Sequence, residues 1–368
     1  MPKIHVCQIS EVIQTLPEIQ PFNAASSSPN KNFDLFLCAL GFEERCLTIP
    51  TALAENEYKA TNIGYFEYST NRDDNETNRP SLLHQLKAVS ENIQSFEADT
   101  EKFTNELREL LLSITRQSSG NEPLVLFDTS VVANSLMMRC FKVLLEFDIR
   151  LVVLYSEAAI YHPTRAEYEQ DPEKWSSEEN IGIERGVSDV SISEEYPGSH
   201  IDQLPDCVIL FPSIKKARSK AIISKVDPSL STSSGNSVVW LLGIPHAEQD
   251  HWRLDSMRKI LDLKEDTPRF EVSTIDYRDA LSKLDAIYLD RVEQNKFTLG
   301  LMGSNMQTIG AALFCYLHPS VRVVFATPEE YNATQYSEGC KATWMIDFGS
   351  LKELRHQMDK AGRLRIEE

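Results

Sequence analysis

The stretch LGLMGSNMQTIGAALFCYLHPSVRVVFATPEEY, Leu299 to Tyr331, decides the fold. An apolar run through Leu301 and Met302 ends in Gly303-Ser304-Asn305. Met306 to Leu317 follows, rich in Ala and other apolar residues and long enough for a helix. A second apolar run, Arg322 to Phe325, ends in Thr327-Pro328-Glu329. Short continuous apolar runs suit strands buried on both faces, as in a parallel sheet. A strand, a helix and a second strand in this order read as a βαβ unit.

The same pattern spreads through the chain. In the first half, the runs at Asp34–Leu40, Asn62–Ser69, Leu124–Phe127 and Arg150–Tyr155 read as strands. In the second half, Asp206–Phe211, Ser237–Leu242, Phe297–Met302 and Arg322–Phe325 repeat the series. The interval from Asp34 to Asp128 nearly equals that from Asp206 to Gly303. Four elements kept in order at nearly one offset read as a tandem duplication. The expected fold is α/β, with two tandem Rossmann-like, mostly parallel units. The expected boundaries are 1–165 for the first unit, 166–205 for an acidic connector and 206–368 for the second unit.

Helical spacing of apolar residues predicts helices over Ser81–Phe96, Asp99–Ile114, Val131–Leu145, His251–Leu261 and Tyr277–Asn295, and a charged one in the tail from Leu351 to Glu368. Asn71–Pro80 and the Ser-rich Val226–Ser237 read as loops. A short hairpin is expected through Val187–Ile192 inside the connector.

The composition is that of a soluble globular chain, and the net charge of −18 argues against non-specific binding to nucleic acid, whose phosphates repel an acidic surface. No segment has the run of about 20 apolar residues that spans a bilayer. Seven cysteines, scattered and without a CxxC pair, suggest a reduced cytoplasmic protein without disulfides or zinc. No membrane partner and no cofactor are expected.

Ligands of open parallel sheets bind beyond the carboxyl ends of the strands, so the strand tips are the candidate positions. Gly303-Ser304-Asn305 offers close backbone approach and short donors for a phosphate or ribose; the competing reading is a helix N-cap, with Gln307 nearby. Asp128-Thr129-Ser130 stands in the equivalent place of the first half. Asp128 and Ser130 are cap residues by type, and a buried Asp128 could also accept from a ribose hydroxyl. Gly41-Phe42-Glu43-Glu44-Arg45 places Arg45 as a phosphate clamp and Glu43 as a contact to a base or sugar. A mutual Glu43–Arg45 salt bridge is not expected, because residues two apart on a helix do not face each other. Ser213, Lys215, Lys216 and Arg218 form the densest basic patch of an acidic chain and suit a polyanionic ligand.

Glu157 beside Tyr161, and Glu329 beside Tyr331, could bind a base by stacking. Either glutamate could instead attack an anomeric carbon, so both are catalytic candidates; a structural turn is the alternative. His246, Asp250 and His251 are the one His/Asp cluster, and no metal site is expected from it. The GxGxxG, Walker, GxSxG and HExxH motifs do not occur.

With paired Rossmann-like units and Gly303-Ser304-Asn305 at a strand tip, the chain resembles the CRISPR-associated Rossmann-fold sensor domains of defence systems. The resemblance implies a small nucleotide signal bound at the strand tips. It places one loop at Gly41 to Arg45 and Ser213 to Arg218, and a second at Gly303 to Asn305 and Asp128 to Ser130. Asn305 stands where that family carries Lys, the first half has Asp in place of Gly, and no appended effector domain is expected. The resemblance therefore implies a sensor or adaptor whose effector is another protein chain. An enzyme acting on a nucleotide or N-glycoside, and a protein–protein scaffold, are the alternative readings.

Overall fold

The apolar runs become the strands of two parallel sheets, each in its own compact unit. The computed structural model describes residues 4–6, 9–26, 31–100, 102–118, 120–177, 182–199, 203–231, 237–361 and 364–366. Unit 1 comprises residues 1–161 and 336–368, and unit 2 comprises 162–335.

In unit 1, β1 (Asn32–Ala39), β2 (Lys59–Glu67), β3 (Ile93–Glu97), β4 (Leu124–Asp128) and β5 (Arg150–Glu157) are mutually parallel. Their spatial order is β5-β4-β1-β2-β3. The C-terminal strand Ala342–Ser350 adds antiparallel to β5, and Gln20–Pro21 closes that edge. One sheet face buries Phe36, Cys38, Ile63, Leu126 and Leu154 with Ile49, Leu53, Leu82 and Leu86 of the helices Thr48–Glu55 and Arg79–Val89. On the other face Phe127 meets Phe141 of the helix Asn134–Leu144, and Phe66 meets Phe103 of Lys102–Gln117. Full burial of each such side chain stabilises by about 1.5–3 kcal/mol.

In unit 2, β6 (Asp189–Pro197) runs antiparallel to the strand that ends the parallel series. That series is β7 (Asp206–Phe211), β8 (Val238–Ile244), β9 (Arg269–Ser273), β10 (Lys296–Leu301) and β11 (Arg322–Thr327). The sheet order is β6-β11-β10-β7-β8-β9. Both parallel series therefore run fifth-fourth-first-second-third, with chain order reversing between the first and fourth strands. That reversal is the topological switch point, where ligands of such sheets bind.

Several expectations need correction. The C-terminal residues do not join the second unit: Ala342–Ser350 pairs with β5, so 336–368 falls with unit 1. The region 166–205 is no free connector, because β6 completes the unit 2 sheet. Val187–Ile192 makes no hairpin: residues 189–192 lie in β6, opposite β11. Asn71–Pro80 is not a loop but holds the helix Arg72–Glu76 and the start of Arg79–Val89. The Ser81–Phe96 helix stops at Val89, and β3 follows. Sheet-edge strands β3 and β9 carry one buried residue each, Phe96 and Val272, so neither has an apolar run to betray it. The charged tail is helical over Leu351–Ala361. Parts of the expected connector (178–181, 200–202), Ser-rich loop (232–236) and tail (362–363, 367–368) lie outside the described residues.

Candidate functional site

The tips of β1, β4 and β5 in unit 1 carry a dense set of buried polar groups. Glu43 leaves β1 in extended backbone (φ −73°, ψ 129°) before a 3-10 turn over Glu44–Leu47. That break from helical geometry turns Glu43 back onto Arg45. Arg45 Nε and Nη2 donate to the two Glu43 carboxylate oxygens at 2.9 and 3.0 Å. The two side chains are each 8% exposed. The salt bridge that helical spacing disfavoured thus forms, because the segment is not an α-helix. Arg45 Nη1 donates to Ser156 O at the end of β5, 3.1 Å away. The guanidinium lies over the rings of Tyr155 and Tyr161, 5.8 and 5.9 Å from their centroids. Burial works against the Arg45 charge, yet Glu43 and the two tyrosines hold its pKa well above the ordinary arginine value.

Asp128 ends β4 and is 3% exposed. It ties its own turn: its Oδ1 accepts from Ser130 N at 3.0 Å and from the Ser130 hydroxyl. Ser130 Oγ in turn accepts from Ser156 N at 2.8 Å. Thr129 Oγ1 donates to Leu154 O at 3.0 Å. Asp128 does not cap the next helix, which starts at Asn134 with no side-chain cap. Burial raises the Asp128 pKa to about 7; the Ser130 hydrogen bonds and Arg45 pull against it. Ser156 is fully buried, and its hydroxyl makes no hydrogen bond among the described residues.

The cleft directly between β1 and β4 is closed. A Cβ at Gly41 would stand 3.1 Å from Val131 Cγ2, so glycine permits the loops after β1 and β4 to touch. Tyr68 spans the same gap: its hydroxyl accepts from Ala133 N at 2.9 Å and contacts Val131 O at 3.4 Å. Asn78 Nδ2 donates to Gly41 O at 2.9 Å. A pyrophosphate seated as in dinucleotide-binding sheets would meet these groups. The polar cluster instead lies on the β4–β5 side.

The β7 tip of unit 2 repeats the internal geometry of Arg45. Arg218 Nη1 pairs with Glu184 at 3.1 Å, and Arg218 Nε donates to Ala326 O of β11 at 2.7 Å. Ser213 Oγ donates to Glu184 at 3.0 Å. Lys215 is 2% exposed and its ammonium donates to Ser177 O. Lys216 opens the helix Lys216–Val226 and is half-buried. The basic patch is therefore engaged by a buried glutamate and by backbone carbonyls.

Gly303-Ser304-Asn305 forms a capping box. Ser304 Oγ accepts from Gln307 N at 3.2 Å, Gln307 Oε1 accepts from Ser304 N at 2.9 Å, and Ser304 Oγ donates to Thr274 O at 2.7 Å. Asn305 is the first residue of the helix. Glu157 accepts from Trp344 Nε1 at 3.1 Å and pairs with Lys341 at 3.6 Å. Glu329 is exposed, and Tyr331 sits in a short ladder opposite Glu184. His246 and His251 lie by the 3-10 turn Glu248–Asp250, where His251 Nε2 contacts Pro245 O at 3.2 Å.

The structure thus brings together Gly41, Glu43, Arg45, Asp128 and Ser130 in unit 1, and Ser213, Lys215 and Arg218 in unit 2. Sequence reasoning missed Ser156 as a site residue, together with Glu184 and Ser337. The Ser337 hydroxyl donates to Glu43 across 294 positions, a partner that no local pattern signals.

No protein-family model matches this chain, and no curated protein matches it. Among solved structures it is similar to the cytoplasmic domain of a prokaryotic cation chloride cotransporter, with 8% identity, a TM-score of 0.24, and coverage of 82% of this chain and 99% of that one. It is also similar to an NADH-dependent reductase, A1-R′, complexed with NAD, with 9% identity, a TM-score of 0.19, and coverage of 83% and 97%. Likenesses this distant say nothing about ligand or activity.

Proposed function

We propose that this chain binds a small nucleotide-type ligand at the strand tips of unit 1, and that it works as a sensor or adaptor subunit of a bacterial defence system whose effector is a separate chain. The observation that carries the reading is the cluster of Arg45, Asp128, Ser130 and Ser156 at the tips of β4 and β5, beside the switch point. Such a cluster is costly to bury unless its groups find partners, and the Ser156 hydroxyl has none among the described residues. The defence setting rests on the family resemblance alone.

The charge balance narrows the ligand. Glu43 neutralises Arg45, and a carboxyl with a pKa of about 7 is half protonated at neutral pH. The cluster therefore suits hydroxyl and amide groups of a ribose or base more than a polyphosphate. A binding role is favoured over catalysis because Glu157 is already engaged by Trp344 and Lys341, and because Glu329 is exposed.

Native mass spectrometry of the gently purified protein tests the reading. A retained nucleoside-containing small molecule is the expected result. A panel of mono-, cyclic and oligonucleotides should raise the melting temperature, and Ser156→Val should abolish that rise. A protein that retains nothing and ignores every member of the panel refutes the proposal.

A further inference from the structure

The chain passes between the two units twice, at Tyr161–His162 and at Gln335–Tyr336. Both crossings leave from one short antiparallel ladder in unit 1, in which Ile160–Tyr161 pairs with Ser337–Glu338. Two residues per strand make a marginal ladder by themselves. Its outer side is exposed, with Ile160 at 40%. Its inner side is fixed by side chains that converge on the β1 and β5 tips. Tyr161 Oη bonds Tyr155 Oη at 2.9 Å and accepts from Ala158 N at 3.2 Å. Its ring lies by the Arg45 guanidinium. The Ser337 hydroxyl donates to Glu43, and the Tyr336 ring meets Phe42 edge-on, with centroids 5.7 Å apart.

We infer that this ladder is a latch: the Glu43–Arg45 ion pair holds both chain crossings closed, and breaking the pair releases them together. The geometry follows from the partners. Glu43 holds one strand through Ser337, Arg45 holds the other through Tyr161, and each holds its partner in turn. Loss of either charge unfastens both strands, while the sheet beneath, packed on helices on both faces, stays intact. The latch contacts Glu43 and Arg45 directly, so a ligand that competes for either would open it. That last step rests on the ligand reading proposed above; the latch itself does not.

Hydrogen–deuterium exchange of the full chain tests it without ligand. In Glu43→Gln, peptides covering 158–163 and 335–341 should exchange roughly tenfold faster or more, because a buried arginine left without its carboxylate no longer holds the local structure. Peptides from β1 and β4 should change far less. Ser337→Ala removes a single hydrogen bond and should give a smaller acceleration in the same peptides, which covers the case of a misfolded Glu43→Gln. Tryptic cleavage after the exposed Lys341 should quicken in parallel. Ladder peptides that exchange at the unaltered rate in both variants overturn the latch. A nucleotide that raises the melting temperature beside such an unmoved ladder would leave the ligand reading standing and remove the latch. A ladder that responds while no nucleotide binds supports the latch and removes the ligand reading.

Discussion

Replacing Asp128 by Asn tests the electrostatics of the tip. Asn keeps the oxygen that accepts from Ser130 but cannot ionise. Asp128 is 3% exposed, and its pKa moves from an ordinary 3.8 to about 7, chiefly by burial. A carboxyl whose folded pKa lies above its unfolded value keeps its proton in the folded chain and loses it in the unfolded chain. Between about pH 4 and 7 the folded chain then binds more protons, so this group's contribution to stability falls as pH rises. At about 1.4 kcal/mol per pH unit the full loss is about 4 kcal/mol, of which about 3 kcal/mol falls above pH 5. The Asn variant lacks this loss. Native-state hydrogen exchange of β1 and β4 amides reads the unfolding free energy of unit 1. The difference between Asn variant and unaltered protein should shift by about 3 kcal/mol in favour of Asn from pH 5 to pH 8. Any constant cost of the substitution cancels in that comparison. A difference that stays within about 0.5 kcal/mol, or moves the other way, refutes the assignment of Asp128 as a buried, late-titrating acid.

Other substitutions probe the packing and the ion pair. Arg45→Met strands the Glu43 carboxylate and should cost about 3–5 kcal/mol by urea denaturation, while Glu43→Gln with Arg45→Met should recover much of that loss. Gly310→Ala would drive a methyl into Tyr277 O and to 2.9 Å from Ala280 Cβ, where the helix Asn305–Leu317 crosses Tyr277–Arg291. Overpacking there should lower stability by about 1–3 kcal/mol, seen as a lower melting temperature for unit 2. Ser304→Ala removes the capping box and should cost about 1 kcal/mol in the same melt, without the loss of any ligand-dependent shift.

The strands beneath these residues were legible because burial on both faces leaves a continuous apolar run, as in Leu35–Leu40 or Val323–Phe325. The edge strands β3 and β9 were not. Each buries one residue in five and exposes or half-exposes the rest, so Ile-Gln-Ser-Phe-Glu looks like the end of a helix. The Ser304 cap was legible from Ser-x-x-Gln, since capping chemistry is local. The Glu43–Arg45 pair was not legible, because α-helical spacing keeps residues two apart from facing each other, whereas a 3-10 turn after extended backbone brings them together.

The sequence by itself determined that this is an α/β protein of parallel strands and crossover helices, and which turns carry its polar residues. These properties follow from hydrophobic runs and local turn preferences, which act over a few residues. The tertiary structure alone decided that Ala342–Ser350 returns to the first sheet, that Ser337 hydrogen-bonds Glu43 and Glu184 pairs with Arg218, and that Val131 and Tyr68 close the gap beside Gly41. Those contacts join segments far apart in the chain, and they are fixed by strand order and packing rather than by any local pattern. Leu299–Tyr331 accordingly keeps its strand–helix–strand form, while its Gly303-Ser304-Asn305 tip serves to start a helix.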